Sequence, residues 1–135
     1  MGDVLGRAPG PLFETALEQG EIITAVRFPA PRCAAYAKFR HPASRFAIVG
    51  AFVAQTSSGV RVAITGAASH VFRVQPFEAA LTRSFTAVAL DGVRPGYGAL
   101  NSDLHASADY RAHVIGEMVR RAVQDCTATP SFRNA

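Results

Sequence analysis

The sequence predicts an α+β domain in which about three helices pack on one face of an antiparallel sheet of three to four strands. Residues 21–66 are rich in β-branched side chains and alternate polar with apolar positions. Residues 76–123 instead carry apolar side chains at helical spacing. Strands that come first and helices that follow them form two separate layers, which is the α+β arrangement.

The first strands are predicted from composition and alternation. Residues 21–28 are enriched in β-branched side chains and end at Pro29, which predicts a strand. Residues 33–40 predict a second strand, with Tyr36, Lys38 and Arg40 on one face. Residues 1–20 form an irregular lead-in, residues 21–126 form the single domain, and residues 127–135 form a tail.

A hairpin is expected next. The apolar run over residues 46–55 is long enough for a buried helix, but the turn residues 57–59 and the alternating residues 60–64 favour two paired strands. Gly66 then predicts a bend where the sheet leads into the helices.

Three helices are expected in the second half. Residues 76–81 predict a short helix with Pro76 in its first turn, and residues 86–90 predict a weaker one. The last helix runs from about Ser107, a plausible N-cap, to Val123, with Arg120 and Arg121 in its last turn. Its apolar face consists of Val114, Ile115, Met118, Val119 and Ala122.

Composition excludes several classes of protein. The chain of 135 residues has the size of one domain, and its 49% hydrophobic content is typical of a globular protein. No apolar run approaches the roughly 18 residues of a membrane span. The net charge of +4 comes from scattered arginines, whereas nucleic-acid binding favours clustered cations, so we expect no nucleic-acid partner.

Cysteine usage predicts the compartment. Cys33 and Cys126 are far apart and form no CxxC pair, so they suggest neither a disulfide framework nor a metal site. A reduced, cytoplasmic setting is therefore expected.

Motifs for independent catalysis are missing from the sequence. The four histidines form no HxH or HxxxH group, and no P-loop, GxGxxG or GxSxG is present. The carboxylates show no spacing typical of an acid/base pair. We therefore predict no catalytic residue and no metal ligand, and we expect the domain to be part of something larger.

Four segments, in order, resemble one family. Residues 13–29 resemble a TALxxGEIIxxVxxP segment and residues 36–47 a YxKxxxxxSxxA strand and loop. Residues 62–81 and the DxxASxxYR stretch over residues 103–111, which leads to Arg120 and Arg121, complete the set. Together they resemble the C-terminal domain of the FAD-binding (medium) subunit of molybdenum hydroxylases of the carbon monoxide dehydrogenase and xanthine dehydrogenase type.

The resemblance implies a function in electron transfer. Such a subunit binds FAD and passes electrons from the iron–sulfur clusters of a small subunit to an external acceptor, while a large molybdopterin subunit performs the substrate chemistry. The partners implied are the FAD-binding domain and both of these subunits. The resemblance thus implies a domain of an oxidoreductase that closes over the flavin, aids subunit assembly and is not catalytic alone.

The resemblance also implies a cofactor-binding loop, residues 41–46. Phe46 is expected to pack against the flavin ring, and Lys38 and Arg45 to lie near flavin polar atoms, with His41 and Ser44 in the same site. Two alternatives stay open: Phe46 as the first core residue of its strand, and Lys38 and Arg45 as solvated side chains.

One feature departs from the family. The glycine-rich loops that hold the FAD pyrophosphate in medium subunits have no counterpart before Phe13. We therefore expect FAD in the full-length subunit but none retained by this chain, and self-association through its uncovered face. The alternative function is a flavin-free assembly or protein-binding module of the same fold.

Overall fold

A single four-stranded antiparallel sheet and the helices packed on it form the domain. The computed structural model describes residues 17–96 and 98–128. The strands follow chain order across the sheet: β1 (Cys33–Arg40), β2 (Ala47–Thr56), β3 (Gly59–Thr65) and β4 (Phe72–Arg73). Helix α1 (Gln75–Arg83), a short 3-10 helix (Ala87–Leu90) and helix α2 (Ala108–Ala128) come after them. The predicted α+β fold is confirmed.

The core lies between the sheet and the helices. Ala37, Ala51 and Ile64 are register partners across β1, β2 and β3, and all three are buried. Helix α2 packs on β1 and β2, and helix α1 packs on β3. The opposite face, with Tyr36 and Phe52 as exposed cross-strand neighbours, is called here the open face.

Helix α2 begins where the sequence indicates. The Ser107 hydroxyl accepts a hydrogen bond from the Tyr110 amide at 3.2 Å, as an N-cap does. The five predicted apolar positions are all buried, as are two further ones, Val123 and Cys126. These two extend the apolar stripe to Cys126, and the helix itself ends at Ala128. The expectation that Arg120 and Arg121 lie in the last turn is therefore wrong. Within the described ranges, no helix has the length and apolar character needed to cross a membrane.

The strand predicted over residues 21–28 is not formed in the described structure. A strand requires a neighbour to pair with, and none of the four described strands pairs with residues 22–28. The fourth strand is instead β4, where Phe72 pairs with Ile64 and Arg73 with Ala63. Two residues are too short for alternation to reveal a strand.

The two cysteines form a disulfide, which corrects the expectation that they stay unpaired. Cys33 opens β1 and Cys126 lies near the end of α2, 93 residues later. Packing of α2 across β1 brings these two ends together. The disulfide removes the argument on which the cytoplasmic expectation depended. Helix α2 also ends at Ala128, just inside the predicted tail; residues 1–16 and 129–135 lie outside the described residues.

A buried carboxylate joins α1 to the sheet. Glu78 accepts hydrogen bonds from the Val62 amide at 3.0 Å and from the Arg73 guanidinium at 2.8 Å. Burial by itself raises the pKa of Glu78, but the hydrogen bonds from Arg73 and Val62 outweigh it and hold the pKa below its usual range. The ion pair therefore requires the charged carboxylate.

Neutralising Glu78 is expected to destabilise the domain in a pH-dependent way. Because the folded pKa is lowered, the stabilisation is present above the unfolded value of about 4.3 and is lost as the pH falls through the folded value. Glu78→Gln should lower the free energy of unfolding by about 1–3 kcal/mol at pH 7. Urea denaturation at pH 7 and at about pH 3 measures the difference in the free energy of unfolding between wild type and Glu78→Gln. This difference should be smaller at the lower pH.

The matched control is Glu117→Gln, which removes an exposed i,i+3 partner of Arg120. It should change the stability by less than about 0.5 kcal/mol. An equal loss for Glu78→Gln at both pH values would contradict a role for the charge.

Candidate functional site

The loop between β1 and β2, residues 41–46, is a closed turn. The His41 amide donates to the Phe46 carbonyl at 2.8 Å, and the Arg45 amide donates to the His41 carbonyl at 3.0 Å. The His41 ring nitrogen Nδ1 accepts from the amides of Ala43 and Ser44, both at 3.2 Å. Both the main chain and the His41 side chain therefore hold the loop in one conformation.

Arg45 has a left-handed backbone, with φ of 63°. This conformation costs a residue with a Cβ atom about 1–2 kcal/mol. The Arg45 carbonyl accepts from Lys38 Nζ at 3.4 Å, and the Arg45 side chain is exposed. Backbone strain of this kind concentrates at functional sites.

Phe46 lies at the surface, immediately before β2. Its residue is 78% exposed, whereas the inward-facing residues of β2 begin at Val49, which is fully buried. The alternative that Phe46 is the first core residue of its strand is therefore wrong. Its ring is free to pack against another molecule.

A second segment, residues 103–107, lies beside the loop. One oxygen of Asp103 accepts from the amides of His105 at 2.9 Å and Ala106 at 3.0 Å. The other accepts from the Arg111 guanidinium at 2.8 Å. The His105 amide, then the Ala106 amide and Arg111, outweigh desolvation and lower the pKa of Asp103. This carboxylate holds the segment together rather than serving as a free acid.

Arg111 ties both segments to the sheet. Its side chain is only 4% exposed and also donates to the carbonyls of Ile48 at 2.7 Å and Gly66 at 3.2 Å. Gly66 has φ of 75°, and a Cβ atom there would meet the Ala47 carbonyl oxygen at 2.2 Å. The predicted bend at Gly66 thus places a carbonyl against the buried guanidinium.

Two histidines connect the segments. The rings of His41 and His105 meet edge to face, with centroids 4.4 Å apart, and His41 Nε2 lies 3.3 Å from His105 Nδ1. Because Nδ1 of His41 accepts two amide hydrogens, the proton of the neutral ring is on Nε2, which donates to His105. Nε2 of His41 is then a donor and not a metal ligand. Among the described residues, no group of three or more His, Cys, Asp or Glu side chains could hold a metal ion.

A cleft of about 720 Å³ opens between the two segments. Phe39, Ile48 and Tyr110 supply its apolar lining, and the rings of Phe39 and Tyr110 meet edge to face at 6.1 Å. His41 and His105 supply polar groups. The combination of an apolar lining and a few convergent polar groups is typical of ligand sites.

The structure divides the predicted site residues into two groups. His41 lines the cleft, whereas Lys38, Ser44, Arg45 and Phe46 do not. These four lie together beyond the cleft and are exposed, and the Ser44 hydroxyl accepts from the Phe46 amide at 3.4 Å. They are called here the loop tip.

Sequence reasoning missed the residues that support the loop. Asp103, His105 and Arg111 were not candidates, although the DxxASxxYR stretch contains all three. The available signal was the spacing of Asp103 and Arg111 across the start of a helix. The Ile48 carbonyl, which accepts from Arg111, lies 63 residues from it in sequence and gives no local signal.

Solved carbon monoxide dehydrogenase chains share this fold. One is the reconstituted CO dehydrogenase from Oligotropha carboxidovorans, and another is the cyanide-inactivated form of a Cu,Mo-CO dehydrogenase. Each match has a TM-score of 0.74 and 28% sequence identity, and it covers 88% of this chain and 46% of the other. This chain thus spans about half the length of the chains it matches. No protein-family model and no curated protein matches the sequence.

Proposed function

We propose that this chain acts as the C-terminal domain of the FAD-binding (medium) subunit of a molybdenum hydroxylase of the CO dehydrogenase and xanthine dehydrogenase type. The similarity to CO dehydrogenase chains in fold and in sequence supports this, and so do the four ordered segments between residues 13 and 122. Its proposed partners are a flavin-binding domain, an iron–sulfur subunit and a molybdopterin subunit. The chain by itself is proposed to be inactive and to retain no FAD.

The exposed ring of Phe46 carries the proposal. Single exposed hydrophobic residues are common on protein surfaces, so exposure alone decides little. Phe46, however, follows a strained Arg45 in a loop held by hydrogen bonds at both ends. An aromatic face presented by a fixed loop can pack on a flat heterocycle such as the flavin ring.

The charges around Phe46 suit the same ligand. The cationic side chains of Lys38 and Arg45 both belong to the loop tip, and a hydrogen bond from Lys38 to the Arg45 carbonyl joins their positions. Cations beside the flavin ring stabilise negative charge on it. The bound cofactor would supply electron transfer to an external acceptor, while His41 and Ser44 hold the loop in position.

Removing the Arg45 charge is expected to weaken binding to a flavin-loaded partner. The companion fragment is defined here as the part of the Oligotropha carboxidovorans chain outside the match to this protein. Arg45→Asn keeps a residue that tolerates the left-handed backbone. Its affinity for the companion fragment saturated with FAD should fall about 10-fold, since a charge-assisted hydrogen bond contributes about 1.5–3 kcal/mol.

The contribution of the flavin to the affinity is measured by repeating the titration with the same fragment without FAD. Wild type and Arg45→Asn should bind this fragment equally. Arg94→Asn removes an equal charge from an exposed position elsewhere and should bind like wild type in both cases. Calorimetric titration gives all six affinities. Equal binding of Arg45→Asn and wild type to the FAD-loaded fragment would show that the loop tip does not face flavin.

A further inference from the structure

The hydrogen bonds of His41 and His105, called here the histidine pair, admit only one arrangement of protons. Nδ1 of His41 accepts from the amides of Ala43 and Ser44, both at 3.2 Å, so it carries no proton. Nε2 of His41 then donates to Nδ1 of His105 at 3.3 Å, so this second Nδ1 carries no proton either. Each ring has one unprotonated nitrogen, and both rings are therefore neutral.

A proton added to either ring breaks these contacts. On Nδ1 of His41 it would point at two amide N–H groups, which would both lose their acceptor. On Nδ1 of His105 it would point at the N–H of His41, and two cationic rings with centroids 4.4 Å apart would repel each other. Imidazole changes charge between about pH 5 and 8, so mild acidification supplies such a proton.

The surroundings of the histidine pair oppose added positive charge. His105 lies just before the N-terminus of α2, where the helix dipole is positive. The Asp103 carboxylate is already paired with Arg111 at 2.8 Å. The charged and titratable groups on the elements that hold the pair are Lys38 and Arg40 of β1, Arg45 of the loop, Asp103, and Asp109, Tyr110 and Arg111 at the start of α2. Four of these groups are cationic and two are anionic, so the neutral rings are favoured.

The position of the loop tip depends on His41. Ser44 donates to its ring, Arg45 donates to its carbonyl at 3.0 Å, and the Phe46 carbonyl accepts from its amide at 2.8 Å. Three of the four loop-tip residues are thus bonded to one histidine. The left-handed backbone of Arg45 persists only while its surroundings hold it there.

We propose that the histidine pair is a pH-sensitive switch, which fixes the loop tip while both rings are neutral and releases it on acidification. The contact between the rings joins the loop to residues 103–107, which Arg111 joins to the sheet. Because the closed loop requires neutral rings, it is stable at the higher pH and opens as the pH falls. This inference deepens the proposed function, since release of the loop tip weakens binding to a flavin-loaded partner.

Nitrogen-15 NMR of the full chain tests the switch without a partner. At about pH 7.5, above most of the range in which imidazole titrates, Nδ1 of both rings should give the signal of an unprotonated nitrogen. The solvent exchange of the Ala43 and Ser44 amides is then measured at both about pH 7.5 and about pH 5.5 and corrected for its intrinsic pH dependence. It should be about 10-fold faster at the lower pH, because both amides lose a hydrogen bond.

His41→Asn is the matched variant. An asparagine carbonyl accepts from amides two and three residues ahead but does not titrate, so the corrected exchange should be the same at both pH values. His113→Asn removes an exposed histidine elsewhere on α2 and should show the wild-type acceleration. Between the two pH values, the affinity for the FAD-loaded companion fragment should fall about 10-fold more for wild type than for His41→Asn. The variant thereby reports the pH dependence of the fragment itself.

The outcomes separate the switch from the proposed function. A proton on Nδ1 of either ring at the higher pH overturns the switch, and so does a corrected exchange rate that is the same at both pH values in wild type. Equal acceleration in His41→Asn assigns the change to another group and also overturns it. Equal pH dependence of binding in wild type and His41→Asn overturns the link to the flavin-loaded partner. Acceleration confined to the chains that keep His41, without a complex at either pH, overturns the proposed function and leaves the switch standing.

Discussion

Removal of the Cys33–Cys126 disulfide is expected to lower the free energy of unfolding by about 2–5 kcal/mol. The bridge joins the first residue of β1 to the end of α2 across 93 residues. Closing a loop of that length removes much conformational entropy from the unfolded chain. The expected loss of stability therefore lies in the upper part of the range. Small domains have a total stability of about 5–15 kcal/mol, so this bridge is a large share of it.

The measurement compares urea denaturation of the oxidised protein, the reduced protein and Cys33→Ala/Cys126→Ala. Alanine suits both positions because it is small and apolar: Cys126 is buried within α2, and Cys33 is half-buried at the start of β1. The reduced protein and the double variant should unfold at similar urea concentrations, both well below the oxidised protein. Thiol titration of the native protein should find no free cysteine. Insensitivity of the urea midpoint to reductant would contradict the bridge.

Arg111→Met is expected to cost about 3–5 kcal/mol, because it leaves buried polar groups without partners. The guanidinium contacts the carbonyls of Ile48 and Gly66 and the Asp103 carboxylate, so three separate segments lose their common donor. Methionine fills a similar volume, which limits the contribution of a cavity. Thermal denaturation gives the loss, and the His105 ring signals in NMR should broaden as residues 103–107 loosen.

Two further variants test why Arg111→Met loses stability. Arg121→Met lies on the exposed side of the same helix and should change stability by less than about 0.5 kcal/mol. Arg111→Lys keeps the charge but lacks the planar fork, so it should recover only part of the loss. If Arg111→Lys is as stable as wild type, the charge alone matters and the bridging geometry is unimportant.

Local patterns predicted most of the fold. β1 was predicted with the bounds it has, because alternation of apolar and polar side chains marks a half-buried strand. The start of α2 was predicted because an N-cap serine and an apolar stripe are encoded within a few residues. Residues 57–59 predicted the β2–β3 hairpin for the same reason: a turn depends on its own residues.

The candidate site was predictable only in outline. The loop at residues 41–46 could be located because Pro42 lies between two strands, and the role proposed for it comes from a resemblance to a family. That Phe46 is exposed rather than core depends on where β2 begins relative to α2, which composition does not specify. The strained backbone of Arg45 has no sequence signal, since arginine does not favour that conformation.

The sequence by itself determined the strands of the hairpin, the start and apolar face of α2 and the order of layers, since each depends on periodicity within about ten residues. Only the tertiary structure decided the disulfide, the hydrogen bonds from Arg111 to the Ile48 and Gly66 carbonyls, and the contact between His41 and His105. Each of these joins residues 45 to 93 positions apart. Proximity over such distances arises when α2 packs across the sheet. None of the described strands pairs with residues 22–28, so the strand-forming side chains of Ile22, Val26 and Phe28 are exposed in the described structure.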